Sequence, residues 1–280
     1  VTEILLLFRE AFLASLLVGL GCSVLGVFVV YRRVVFVAAA LAQLSSAGVA
    51  FAGFLGSVGV LAATHTNERV LSLLATLAGV AFFAHDSGGR RIPSDARLGI
   101  AYVLAGAAAV LLVARTAGGD AHALLLRGNI LGTSPGDALF LAATVAGVLV
   151  LYALLFKEIL FVSFDREMAA TLGYRSFRWT FLLYLTLGVM IAMSTQVAGV
   201  LLVFSFLVLP PVTGIVLGSS MATVLAWSVS SGLVAAAIGF MTSVQFDLPT
   251  GPAIVATSGV FLAFASLGRF VARAAGTRRS

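Results

Sequence analysis

The sequence predicts an all-α fold: a polytopic membrane bundle of about nine transmembrane helices, forming one domain over residues 1–280, with the N-terminus outside and the C-terminus cytoplasmic. Three observations carry this. Hydrophobic residues make up 61% of the chain and charged ones only 10%, far from the balance of a water-soluble protein. Apolar stretches recur at about the 20-residue length that a helix needs to cross a bilayer. The basic residues gather on alternate connections between these stretches, as the retention of Lys and Arg on the cytoplasmic side requires.

Windows bounded by charge, Gly/Pro clusters or polar turns fall at 11–31, 36–62, 68–84, 97–115, 137–157, 177–195, 197–216, 221–243 and 251–270. The first follows Glu3, Arg9 and Glu10 rather than a basic leader, so no cleavable signal peptide is expected. It holds the single Cys22, which excludes a disulfide framework and reads as a small buried hydrophobe. The second window is long enough to be broken. Its interior Gln43, Ser45, Ser46, Gly48 and Gly53 suit a helix interface or a cavity better than lipid. Pro210-Pro211 removes two backbone donors from the seventh and should kink or end the helix there.

With the N-terminus outside and nine crossings, only Arg9, Arg69, Arg115 and Arg127 of the 17 basic residues fall on the outer side. The others, including Arg32, Arg33, Arg90, Arg91, Lys157, Arg166, Arg175 and Arg269, fall inside, so the reverse orientation is disfavoured. This scatter between apolar segments also excludes nucleic acid as the partner, because no basic face is assembled.

Several chemistries fail on residue type. Lys157 is the only lysine and lacks the glycines of a phosphate-cradling loop, so the chain cannot hydrolyse ATP alone. No His-Glu-x-x-His pair exists for zinc peptidase chemistry. Gly132-Thr133-Ser134-Pro135-Gly136 matches the spacing of a nucleophile elbow, but His65, His85 and His122 all precede it, and an external turn explains it better. These histidines fall in loops or at a boundary. Asp247 lies in the outer turn between the last two helices, beside Leu248-Pro249-Thr250-Gly251-Pro252. Two prolines stiffen that turn, which is either a pathway mouth or a plain helix connection.

The connection EILFVSFDREMAATLGYRS, residues 158–176, is longer than two helices need. It reads as a short surface helix that Asp165 caps, with acidic residues at its positive pole and Gly173 as terminator. Ala169 and Ala170 would admit a close partner. Docking of another protein and an ordinary interfacial loop both fit this pattern.

Four stretches together carry a resemblance: LLVGLGCSVLGVFVVYRRVVFVAAALAQLSSAGVAFAGFLG, LLRGNILGTSPGD, SFDREMAATLGYRSF, and QVAGVLLVFSFLVLPPVT with FDLPTGPAIVATSGVFLAF. In order and spacing the chain resembles, from end to end, the permease subunits of zinc and manganese ABC importers, a branch of the cobalamin and siderophore importer class. That resemblance implies a homodimer with the pathway between two copies, in a bacterial cytoplasmic membrane. It implies separate ABC ATPase subunits that bind ATP and Mg, and an extracytoplasmic solute-binding protein. The chain itself would be no enzyme and hold no cofactor or resident metal. Phe164, Asp165, Arg166, Glu167, Ala169, Leu172 and Gly173 correspond to the family's coupling helix.

Members that move free metal carry an Asp and a His four residues apart on the second helix. The resemblance implies zinc, manganese or a metal complex as cargo, but Ala39 and Gln43 occupy those places and supply neither carboxylate nor imidazole, which turns the expectation from the free ion toward a chelated metal or another small solute. Gln43 and Ser46, three residues apart, are expected to line the pathway, with Asp247 at its mouth. A secondary transporter driven by an ion gradient would show inverted repeats or intramembrane carboxylates. An inactive structural subunit is the third reading, prompted by the missing ligands.

Overall fold

The computed structural model describes residues 8–60, 64–85, 93–116, 130–164, 166–172, 174 and 176–276. The described secondary structure is entirely helical. α1 (Arg9–Tyr31), α2 (Val35–Ser57), α3 (His65–Ala84) and α4 (Ser94–Arg115) are followed by a short 3-10 turn at Ile130–Gly132. Then come α5 (Pro135–Leu154), the short α6 (Phe156–Phe164) and α7 (Arg166–Thr171), the 42-residue α8 (Ser176–Leu217), α9 (Met221–Phe246) and α10 (Thr250–Gly276).

Eight of these are long and apolar enough to cross a membrane, against the nine windows expected. The difference is α8, which takes in the sixth and seventh windows. Its only non-helical residue is Gly199, at φ 78° and ψ 161°. Contacts with α1 show that the chain doubles back there. The Arg32 guanidinium reaches Thr180 in the first arm, while Gly26 lies against the Leu207 carbonyl and the Pro211 ring in the second. Residues 26 and 32 are about 9 Å apart along α1, whereas 180 and 207 would be about 40 Å apart on a straight helix at 1.5 Å per residue. The two arms of α8 are therefore separate crossings.

Of the kink or end expected at Pro210-Pro211, the end does not occur; α8 runs through both to Leu217. A proline frees the carbonyl four residues earlier, and for Pro211 that is Leu207. Gly26 has no Cβ, so α1 closes directly onto that carbonyl. Nor is α2 broken. It runs 23 residues without interruption and stops at Ser57, short of the expected boundary.

α1 is the hub. Ala14, Val18, Cys22, Leu25 and Phe28 are buried against α5, both arms of α8 and α9. Small residues set the spacing: Gly19 faces Gly232 and Ala236 of α9, and Ser228 donates to the Ser23 carbonyl at 2.9 Å. The GTSPGD segment is a helix start. Ser134 caps α5 in a reciprocal box with Asp137, whose Oδ2 accepts from the Ser134 amide and hydroxyl at 3.2 and 2.7 Å. The other Asp137 oxygen pairs with Arg69 of α3, and that guanidinium lies 4.7 Å over the Phe140 ring.

Candidate functional site

One face of the bundle carries a groove of about 1090 Å³. α2 contributes Phe36, Ala39 and Gln43, positions 3 to 4 residues apart and hence on one helix face. α4 contributes Gly99, Tyr102 and Val103 across from them. The reversal of α8 supplies Ala198, Val200 and Leu201, and the turn into α10 supplies Leu248–Pro252. Ile130 and Leu131 of the 3-10 turn close the same end.

The lining is mostly aliphatic and aromatic, with polar side chains from Gln43, Tyr102 and Thr250. Gln43 lies alongside Gly106 of α4, where a Cβ would stand 3.4 Å from its Oε1. Thr250 is held from behind by Ser243, whose hydroxyl donates to Thr250 Oγ1 at 2.9 Å and stands 2.6 Å from the Leu248 carbonyl. Among the described residues, no three His, Cys, Asp or Glu side chains gather to hold a metal ion. The lining holds no charged side chain.

Ala39 and Gln43 thus face the groove together. Ser46 is buried and lies outside the lining. Asp247 is exposed, in the left-handed conformation at φ 51° that terminates α9. The five residues after it, not Asp247 itself, wall the groove.

Behind Gln43 lies a hydroxyl cluster that the sequence does not reveal. Ser45 of α2 is 2.9 Å from Ser72 Oγ of α3 and 2.6 Å from Thr195 Oγ1 of α8. The three residues are separated by 27 and 150 positions, and no local signal links them.

Within the segment expected to couple, Asp165 and Gly173 lie outside the described residues. Phe164 closes α6, and Arg166 and Glu167 open α7. Ala169 is fully buried, and its carbonyl accepts from the Tyr174 amide at 3.0 Å. Met168 and Leu172, four residues apart on α7 and the turn that ends it, are 54% and 65% exposed. The segment therefore presents an apolar edge with a small residue pressed against the bundle. Phe161 and Tyr174 meet edge to face at 5.7 Å and fasten its two ends.

A family model described as the ABC 3 transport family matches residues 5–269. The manganese transport system membrane protein MntC of Halalkalibacterium halodurans is 27% identical over 259 residues, 92% of this chain and 85% of that protein. The manganese import system permease protein ScaB of Streptococcus parasanguinis is 25% identical, covering 90% of this chain and 87% of that one. Among solved structures, PsaBC from Streptococcus pneumoniae in complex with Fab superposes with a TM-score of 0.80 at 22% identity, over 92% of this chain and 90% of that one. An inward-facing conformation of a putative metal-chelate type ABC transporter gives 0.75 at 15% identity, over 93% and 85%. With nearly its whole length matched, the chain belongs to the ABC 3 transport family.

Proposed function

We propose that this chain is the permease subunit of an ATP-driven importer for manganese or a related transition metal, taken up as the ion or as a complex. The observation that carries the reading is the groove that Ala39, Gln43, Tyr102 and the α8 reversal wall on one face of the bundle. Part of that wall is exposed apolar surface, Phe36, Val103 and Leu201 among it, which a second copy can cover in place of lipid. A second copy across the groove would enclose a pathway. Exposed Met168 and Leu172 give an ATPase subunit an apolar edge to grip, and an extracytoplasmic binding protein would deliver cargo at the opposite end, in a bacterial cytoplasmic membrane. Zinc is the other ion within reach of this reading. ATP and Mg would be bound by the partner, because the chain has no phosphate-cradling loop.

The side chains in the groove favour cargo that arrives already complexed. Gln43 offers a neutral carbonyl oxygen, whereas transition-metal dications favour carboxylate, imidazole or thiolate.

Uptake by proteoliposomes holding the permease and its ATPase, with binding protein added, tests the assignment. Radioactive manganese, bare or complexed, should enter only when ATP is present. Entry driven by a proton or sodium gradient would indicate a secondary transporter. No entry under any condition would indicate a structural subunit.

A further inference from the structure

Arg32 links three elements that lie far apart in the chain. Its backbone amide donates to the Phe28 carbonyl at 3.0 Å and closes α1. The next two amides do likewise, Arg33 to Val30 and Val34 to Val29, both at 3.0 Å. Arg33 sits at φ 58°, a left-handed conformation that non-glycine residues rarely adopt. The α1–α2 turn is therefore short, strained and fully hydrogen-bonded, and it behaves as a stiff bracket.

The Arg32 side chain extends from this bracket to α6 and α8. Nη2 donates to the Val162 carbonyl at 3.2 Å and Nε to Ser163 Oγ at 3.1 Å. Nη1 approaches Thr180 Oγ1 at 3.5 Å. Val162 and Ser163 are in the last turn of α6, where carbonyls lack helical partners and a cation is favoured. Ser163 is itself fixed, donating to the Ile159 carbonyl at 2.5 Å. α6 leads within two residues into α7, and α2 begins three residues after Arg32. The first turns of α2 then place Phe36, Ala39 and Gln43 in the groove.

We propose that Arg32 is the residue through which motion of the α6–α7 segment reaches the groove wall. The inference rests on reading α7 as the contact with the ATPase. A planar guanidinium engaged by three acceptors on two elements resists rotation, so a displacement of α6 is passed to the α1–α2 bracket as a whole. α2 then carries Gln43 with it. Lysine cannot reproduce this, since a single ammonium lacks the fork geometry. Arg32 touches no cargo and acts by positioning α2.

The test compares uptake per ATP hydrolysed with the ATPase rate and thermal stability of the complete permease–ATPase assembly in proteoliposomes, with manganese as probe. Arg32→Ala is expected to keep hydrolysis while uptake per ATP falls roughly two- to thirty-fold, and Arg32→Lys to fall between it and the wild type. Wild-type uptake per ATP in Arg32→Ala would overturn the proposal. Leu172→Ala separates it from the underlying reading: if Leu172→Ala uncouples and Arg32→Ala does not, Arg32 alone is misassigned. If Leu172→Ala leaves both assembly and coupling unchanged, the α7 assignment itself fails. Should Arg32→Ala not fold, the double variant Ser163→Ala, Thr180→Val retains the arginine and removes two acceptors. It should lower uptake per ATP in the same direction, and an unchanged ratio would overturn the proposal.

Discussion

Ser45 Oγ and Thr195 Oγ1 stand 2.6 Å apart, joining the middle of α2 to the first arm of α8 just before its reversal. Ser72 of α3 completes the contact at 2.9 Å. All three are buried, and Thr195 also donates to the Ile191 carbonyl at 2.8 Å. Interhelical hydrogen bonds in membranes average about 0.6 kcal/mol, and an orphaned buried partner adds to the loss. Ser45→Ala should therefore lower stability by about 1 kcal/mol. Ser230→Ala, at an exposed serine that donates to its own helix carbonyl at Ala226, is the control and should cost less. Unfolding in detergent reports both, and equal losses would refute the importance of the cluster.

Gly199 is the hinge of the α8 hairpin, at φ 78° and ψ 161°. That combination is essentially restricted to glycine, and forcing an L side chain into it costs about 1 to 3 kcal/mol. Gly199→Ala should reduce thermal stability by that amount. Gly147→Ala serves as comparison, since a Cβ at Gly147 of α5 meets nothing within 4 Å. That change should be neutral or slightly stabilising, because alanine is the better helix former.

Arg69 and Asp137 connect α3 to the first turn of α5, and both side chains are about one-fifth to one-quarter exposed. Partial burial places their coupling near the upper end of the surface range, about 1 kcal/mol. A double-mutant cycle with Arg69→Ala and Asp137→Ala, read by thermal unfolding, measures it. Asp137→Ala alone should cost more than Arg69→Ala, because it also removes the reciprocal cap on Ser134. The reverse order would contradict the assignment of the GTSPGD segment as a helix start.

Ala39 and Gln43 lie on the groove face of α2, one turn apart. Replacing them together, Ala39→Asp with Gln43→His, should create a carboxylate–imidazole pair for bare manganese or zinc. Calorimetric titration of the double variant should show metal binding at least about tenfold tighter than in the wild type, as befits these ligand types. Equal affinity would mean that the two side chains cannot converge in the groove.

The crossings are legible in the sequence because a bilayer enforces apolar runs of nearly fixed length. The windows at 11–31 and 221–243 lie close to α1 and α9. The two crossings within α8 are also legible, with their boundary at Gln196, but the residue that makes the turn is not. Gly199 lies three residues past the polar Ser194-Thr195-Gln196, and one glycine among 29 gives no signal of its conformation. Pro210-Pro211 reads as a kink or an end on local chemistry alone, and the helix that runs through it packs closely on Gly26, distant in the chain. Gln43 reaches the groove while Ser46, three positions on, stays buried, because the packing of α3 and α4 decides which polar stripe of α2 is open. Arg32 is legible only as a cytoplasmic charge. Its partners on α6 and α8 lie 130 or more positions away, out of reach of any local pattern.

The doubling back at Gly199 also has an electrostatic consequence. The first arm of α8 ends there with its partial negative pole, and the second begins with its partial positive pole. The two macrodipoles meet head to tail within one residue and largely cancel. The apex of the hairpin can therefore present Ala198, Val200 and Leu201 to the groove without an ionised side chain to neutralise it.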